Sequence, residues 1–558
     1  MAGAVRRLRG NLGFGALKPR ALLAPLLRPG RDVLPVYHPD RPGWVVAARR
    51  LSLLIGIMFV AFVYGVLAAI LPPSMMMGAV APLAFLAVLV IWALPDVRTA
   101  PTRALTKAFT FFLLSIILWP NYIAISIGGL PWISMRRLAG FVLSMLLVIS
   151  ISTSKPFRQG MADVFRASPW LARCLIAFFI FQAFASIFSV DPRETIGRFI
   201  NGTFTSTAVC FTAVWLFGPG EKTILWFTNR FLAAVFVLMI IGVFEARAQH
   251  VLWVGNIPSF LRIDDATLQQ LTRPLFRGWY RVVTTYTTPL AYGELLALTT
   301  PFVLYRIVHA DTWSRRGWWI FFDLFLLASV LLSAARLSLV GYIASHAIFG
   351  LLWGIHRWRN ARGDMLGISA TMLYPAFLVA LALAVVVVPA VHVRVLGGGA
   401  AQASTDARSV QFHMAVPVIL RRPLLGYGPG EGGGAINYRT PDGNLTIDLG
   451  LVALAADLGL LGLGAYMGIL ILSIVALIRI GFRQRSSPFS AEFGLATALC
   501  VLITTRLVLA QGDNDAFFDI MFGLAIGAIY LAKREQPTTG VSVGAGAAIR
   551  GDRSKPVA

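Results

Sequence analysis

Three arginines, Arg281, Arg336 and Arg408, and one carboxylate, Asp448, stand beside long apolar runs, where a charged side chain is costly. Arg281 ends the stretch Arg273-Pro-Leu-Phe-Arg277-Gly-Trp279-Tyr280-Arg281, which leads through Val-Val-Thr-Thr-Tyr-Thr-Thr into Pro289 and an apolar run. A guanidinium gives a phosphate two parallel, charge-assisted hydrogen bonds, and the interleaved Trp279 and Tyr280 offer faces for a sugar to stack on. The stretch suits a phosphate-bearing glycolipid, although Trp, Tyr and Arg also gather in ordinary interfacial belts. Arg336, in Ser333-Ala-Ala-Arg336-Leu-Ser338, joins two apolar runs with almost no loop between them. An arginine held there is a functional candidate by default, with snorkelling to headgroups as the alternative.

The remaining candidates fall in one long connection. It contains Asp406-Ala-Arg408-Ser-Val-Gln-Phe412-His413, with residues 408–420 patterned as an amphipathic helix at the interface. Next comes Pro423-Leu-Leu-Gly426-Tyr427-Gly428-Pro-Gly430-Glu-Gly-Gly433. Its formal G-x-G-x-x-G lacks the flanking strand and helix of a dinucleotide site, so a turn permitting close backbone approach to a ligand is the better reading. The connection closes with Asp442-Gly-Asn444-Leu-Thr-Ile-Asp448-Leu-Gly450. Asp448 sits where the chain enters the next apolar run. There it can act as a base toward a sugar hydroxyl or cap the helix that follows. Thr505-Arg506 and Asp513-Asn514-Asp515 read as an internal salt bridge, and Glu294 and Asp323 as structural partners for a buried arginine. Cys174, Cys210 and Cys500 are scattered singly through apolar runs, which fits packing and neither disulfides nor metal. No metal-ligand spacing occurs, and no metal or other cofactor is expected.

The elements that position these residues are membrane helices. Of 558 residues 57% are hydrophobic and 13% charged, and the mean hydropathy is +0.74, whereas a soluble domain carries about 25% charged residues. Apolar runs of about 17–25 residues, enough to cross a bilayer core, recur along the chain. The expected fold class is an all-α, polytopic transmembrane bundle of about fourteen helices. The candidate spans are 51–71, 78–95, 108–128, 138–154, 171–190, 199–218, 224–245, 290–308, 318–334, 337–356, 368–391, 460–480, 490–510 and 515–532. Pro120, Pro131 and the Arg136–Arg137 pair make the third and fourth the weakest.

The net charge of +24 reports topology, because Lys and Arg gather on every second loop, as in cytoplasmic segments. No nucleic-acid partner is expected. The N- and C-termini are placed in the cytoplasm of a bacterial inner membrane, with membrane lipid around the chain. Residues 1–43 form a basic tail, 44–534 the membrane domain, and 535–558 a Gly/Ala/Ser/Pro-rich disordered tail. The two long connections, about 246–289 and 392–449, fall outside, where loops of that length are commonly functional.

From about residue 270 to 465 the chain resembles the O-antigen ligase/polymerase superfamily, which includes Wzy-type polysaccharide polymerases and O-antigen ligases. The resemblance lies in Arg281 to Pro289, in Ser333-Ala-Ala-Arg336, in Arg408-x-x-x-Phe412 followed by Pro423 to Gly430, and in Thr446-Ile-Asp448 ahead of Ala456-Asp-Leu-Gly459-Leu-Leu-Gly462. It implies metal-independent glycosyl transfer from an undecaprenyl-pyrophosphate-linked oligosaccharide at the periplasmic face. Arg281 and Arg336 would hold the pyrophosphate, and Arg408 and Tyr427 would help bind donor or acceptor. Ligases usually carry His at the position of Asp448, so the base lies between Asp448 and His413, and the departure favours a polymerase of surface polysaccharide or O-antigen. The alternatives are a ligase acting on lipid A–core and, without covalent chemistry, a flippase or transporter. A chain-length regulator is a further possible partner.

Overall fold

The structure, a computed structural model, describes residues 99–125, 133–218, 221–263, 265–272, 280–360, 363–389, 402–439, 445–483, 491–510 and 512–534, with a few isolated positions elsewhere. The chain divides into two compact units, residues 1–83 and 84–558, and the architecture that follows is that of the second. The expected tails and the spans at 51–71 and 78–95 lie almost wholly outside the described residues.

The fold is an all-α polytopic bundle, and nine described helices are long and apolar enough to cross a membrane. In chain order the first elements are α1 (Thr102–Leu118), β1 (Ile123–Ile125), β2 (Ile133–Ser134), α2 (Met135–Thr153), α3 (Lys155–Arg166) and α4 (Pro169–Ile187). Then come α5 (Pro192–Gly202), running through a π turn at Thr203–Thr207 into α6 (Ala208–Phe217), and α7 (Glu221–Ala248). After β3 (Leu261–Ile263) and α8 (Asp265–Thr272) follow α9 (Pro289–Val308), α10 (Trp313–Ser333), α11 (Arg336–Asn360) and α12 (Met365–Val387). The last are α13 (Gln402–Arg421), α14 (Gly432–Ile436), α15 (Gly450–Arg483), α16 (Ala491–Arg506) and α17 (Asp515–Arg534).

Local chemistry sets many helix ends. The hydroxyls of Ser134, Thr288 and Thr312 accept the backbone N–H of Arg137, Ala291 and Arg315, which are N-cap bonds. Proline opens α4, α5 and α9, where its missing N–H is no loss. α17 lies at the centre of the bundle. Gly523 and Gly527, four apart, let its backbone approach Ala213 and Phe217 of α6, and a Cβ at either glycine would overlap α6. α12, by contrast, exposes Leu373, Val379 and Val386 along its length, an apolar face suited to lipid.

Two elements differ from expectation. The span expected at 108–128 ends at Leu118, because Trp119 turns extended ahead of Pro120. The chain then forms β1, the central strand of a small antiparallel sheet ordered β2-β1-β3, with Ala124 opposite Ser134 and Arg262. The helix expected over 408–420 runs from 402 to 421 without one apolar face: Val410, Phe412 and Leu420 are exposed while the polar Gln411 is buried.

α15 breaks at Gly459, where φ is 69° and ψ is −177°, a backbone conformation essentially confined to glycine. The break frees the carbonyls of Ala456 and Asp457, which accept the backbone N–H of Tyr427 and Gly428 at 2.9 Å each, while Leu460 N–H donates to Pro423 O at 2.7 Å. The glycine-rich turn therefore satisfies the backbone polar groups that a broken helix would otherwise leave open. Gly426, Gly428 and Gly430 adopt φ of 68°, 110° and 79°. Gly426 closely approaches the carbonyls of Ala456 and Asp457, Gly428 the side chain of Ser189, and Gly430 that of Arg198. Gly459→Ala is expected to cost at least about 1–3 kcal/mol, and more through the clash of its Cβ with Leu424 O. A lowered melting temperature in detergent, with less protein in the membrane, is the measurement; a variant melting with wild type would refute the strain.

Candidate functional site

The segment from Tyr280 to Thr288 is anchored at nearly every residue. Glu245, fully buried in the last turn of α7, accepts the N–H groups of Val283 and Thr284 and the hydroxyl of Tyr280, all at 2.8 Å. Burial first, and then the neighbouring Glu245 carboxylate, push the Tyr280 phenol well above its ordinary pKa, so it stays a donor. Val282 N–H donates to Leu332 O at 3.3 Å, and Arg281 Nε to Ser333 O at 3.4 Å. Tyr122, beside β1, donates its hydroxyl to Thr284 O at 3.2 Å. The Thr285 hydroxyl donates to Ile117 O at 2.7 Å and that of Thr287 to Asp513 at 2.5 Å. The threonine run thus fixes the entry to α9.

Arg281 lies against the corner between α10 and α11, and Arg336 is the first residue of α11, half-buried. The corner turns at Ala334, whose φ is 46°. The structure therefore brings the Arg281 segment and the Arg336 corner together. Beneath them α9 packs tightly on α11, since a Cβ at Gly293 would overlap the Ser338 hydroxyl.

Next to Gly293, Glu294 is fully buried and pairs with Arg506 at 3.3 Å, while Thr505 and Asn514 each donate to its carboxylate at 2.9 Å. Arg506 also reaches Asp515 at 2.9 Å. This is the salt bridge expected from Thr505-Arg506 and the Asp513–Asp515 run. Asp323 bonds instead to Tyr342 and His346, at 2.9 and 3.1 Å.

The second group sits where α15 begins, and Gly450 abuts the carbonyls of Arg506 and Leu509, so this group borders the same polar floor. Arg408 Nε lies 4.0 Å from Asp448 Oδ2, with the two side chains 21% and 38% exposed. Gln411, one turn on from Arg408, accepts the Asp448 N–H at 2.8 Å. Thr446 donates its hydroxyl to Asp448 Oδ1 at 3.3 Å. The first backbone bond of α15 is accepted by Leu449, so Asp448 lies one residue before the N-cap. Arg408 Nε and Gln411 Nε2 are buried donors without a hydrogen-bond partner among the described residues. A carboxylate beside two unspent donors can accept a hydroxyl proton while those donors hold the attacking group.

His413 and Tyr427 are not part of this group. His413 is exposed and bonds its ring to Ser409 O at 2.7 Å, and five residues from Arg408 it points about 140° away around the helix. Tyr427 donates its hydroxyl to Val418 O at 3.1 Å, with Arg422 over its ring at 5.1 Å, which ties the glycine turn to α13. That turn is also held by Arg198, which donates to Pro429 O at 2.9 Å and to Glu431 at 2.8 Å. Arg273, Arg277, Trp279, Asp442 and Asn444 lie outside the described residues.

Glu245 and Gln411 escape a reading of residue types along the chain. The partners of Glu245 lie 35, 38 and 39 residues ahead of it, and Asp448 lies 37 ahead of Gln411. A carboxylate closing an apolar run just before a long connection was the only available signal.

No curated protein matches the chain. Residues 321–467 match a family model described as O-antigen ligase. The matched stretch runs from within α10 through the Arg336 corner, α13 and Asp448 to beyond the break at Gly459, leaving Arg281 outside it. Over that stretch the chain is similar to the O-antigen ligase family.

Proposed function

We propose that the protein is a metal-independent polysaccharide polymerase of the bacterial inner membrane. It transfers a glycan from an undecaprenyl-pyrophosphate donor to a lipid-linked repeat unit at the periplasmic face. The observation that supports this reading is the pairing of Asp448 with Arg408 beside the bundle end that also bears Arg281 and Arg336. In the reaction the acceptor hydroxyl oxygen bonds to the anomeric carbon as the bond from that carbon to the pyrophosphate oxygen breaks. The hydroxyl proton passes to Asp448, and the electron pair leaves with the pyrophosphate. Arg281 and Arg336 stabilise the charge gathering on the leaving group, and holding both lipids in one site makes the encounter a positioned one.

Asp448, where ligases usually carry His, favours a polymerase. The description of the matched family model favours the second reading, a ligase acting on lipid A–core. A transporter is the weaker fit: Glu294 and Asp323, the carboxylates of α9 and α10, are engaged by neighbouring side chains, whereas Arg408, Gln411 and Asp448 gather at the bundle end. A deletion strain decides between the enzymes. Single lipid-linked repeats, restored to polymer by the wild-type gene, are the expected result. Long polymer retained on its lipid carrier would establish the ligase, and normal surface polymer would refute both.

A further inference from the structure

Glu245 makes three hydrogen bonds, all to the segment that presents Arg281. A buried carboxylate is expensive, and this one lies in an apolar helix with its charge met by two N–H groups and a phenol. One of those N–H groups belongs to Thr284, a β-branched residue at φ 53°, a conformation that such side chains strongly resist. Glu245 Oε2 accepts from that residue, and Tyr122 donates to its carbonyl. The strained turn is thus gripped on both sides. Just before that turn Val282 meets Leu332 and Arg281 meets Ser333. Released from Glu245, the turn has an easier backbone conformation to relax into, and the guanidinium would move with it.

We propose that Glu245 is a positioning residue for the arginine site: its carboxylate locks the 280–284 segment, with its strained Thr284, and thereby sets Arg281 against the Arg336 corner. This rests on the reading of Arg281 under Proposed function. Glu245→Gln keeps the side-chain volume but turns an N–H of its own toward one of the donors it must accept from.

The test is polymer made per membrane-inserted protein in the deletion strain, for Glu245→Gln, Arg281→Lys and the double variant. Misplacing a binding group by about 1 Å can cost on the order of 100-fold in rate, so a loss of about 10- to 100-fold is expected for Glu245→Gln. The double variant should fall no lower than Arg281→Lys, because the planar fork whose placement the lock sets is already gone. If Glu245→Gln fails to insert, Tyr280→Phe, which removes one of the three bonds, takes its place, with a smaller loss and the same non-additivity. Full activity of the lock variant, or losses that multiply in the double variant, would overturn the proposal and leave the reading of Arg281 standing. Wild-type polymer from Arg281→Ala would overturn both.

Discussion

Arg336→Ala is expected to abolish polymer, with activity falling about 100- to 1,000-fold, the cost of removing one preorganised donor from a developing negative charge. Arg336 is the first residue of α11, and the turn before it is fixed by the left-handed Ala334 and by the Ser333 hydroxyl, which accepts the Ala335 N–H at 3.3 Å. Its backbone is therefore set before any ligand arrives. Arg336→Lys keeps the charge and loses the planar fork, so partial activity at best is expected. The measurement is glycan chain length in a complemented deletion strain, normalised to membrane protein level. If Arg336→Ala made full-length polymer, the corner would be structural and the pyrophosphate would have to be held elsewhere.

The helical fold was legible because its signal is local. Apolar runs of bilayer length announce themselves without knowledge of their neighbours, and α7, α10, α11 and α17 lie where hydropathy puts them. The end of α1 is hard to place from sequence because Ile123 to Ile125 are as apolar as a membrane helix, and Pro120 is the local signal for the stop. The candidate arginines were legible for the opposite reason, since a charge beside an apolar run stands out. Their supports were not. Glu245, Gln411 and Tyr122 act across 35 to 162 residues of chain, and residue type alone does not reveal such pairings. The glycine turn was half legible: positive φ was foreseeable from Gly426 to Gly430, but its partner, the break at Gly459, looks in sequence like the middle of an apolar run.

Sequence alone offers Asp448 and His413 as rival bases, and their settings predict different outcomes. Asp448→Asn keeps the bond from its backbone N–H to Gln411 and should leave the start of α15 intact, so a loss reports the carboxylate itself. A loss of about 100- to 10,000-fold is expected, the range for a general base in proton transfer. His413→Ala should stay close to wild type, because that ring is exposed and bonds back to its own helix. The reverse result, an active Asp448→Asn with an inactive His413→Ala, would make His413 the base and require α13 to rotate when substrate binds. Loss in both would point to a proton passing between them. Asp448→His offers the sharpest contrast, since His is the residue usual in ligases at this position. A variant that stops making polymer yet decorates lipid A–core would show that one side chain separates the two reactions, since on the proposed reading both draw on the same pyrophosphate-linked glycan.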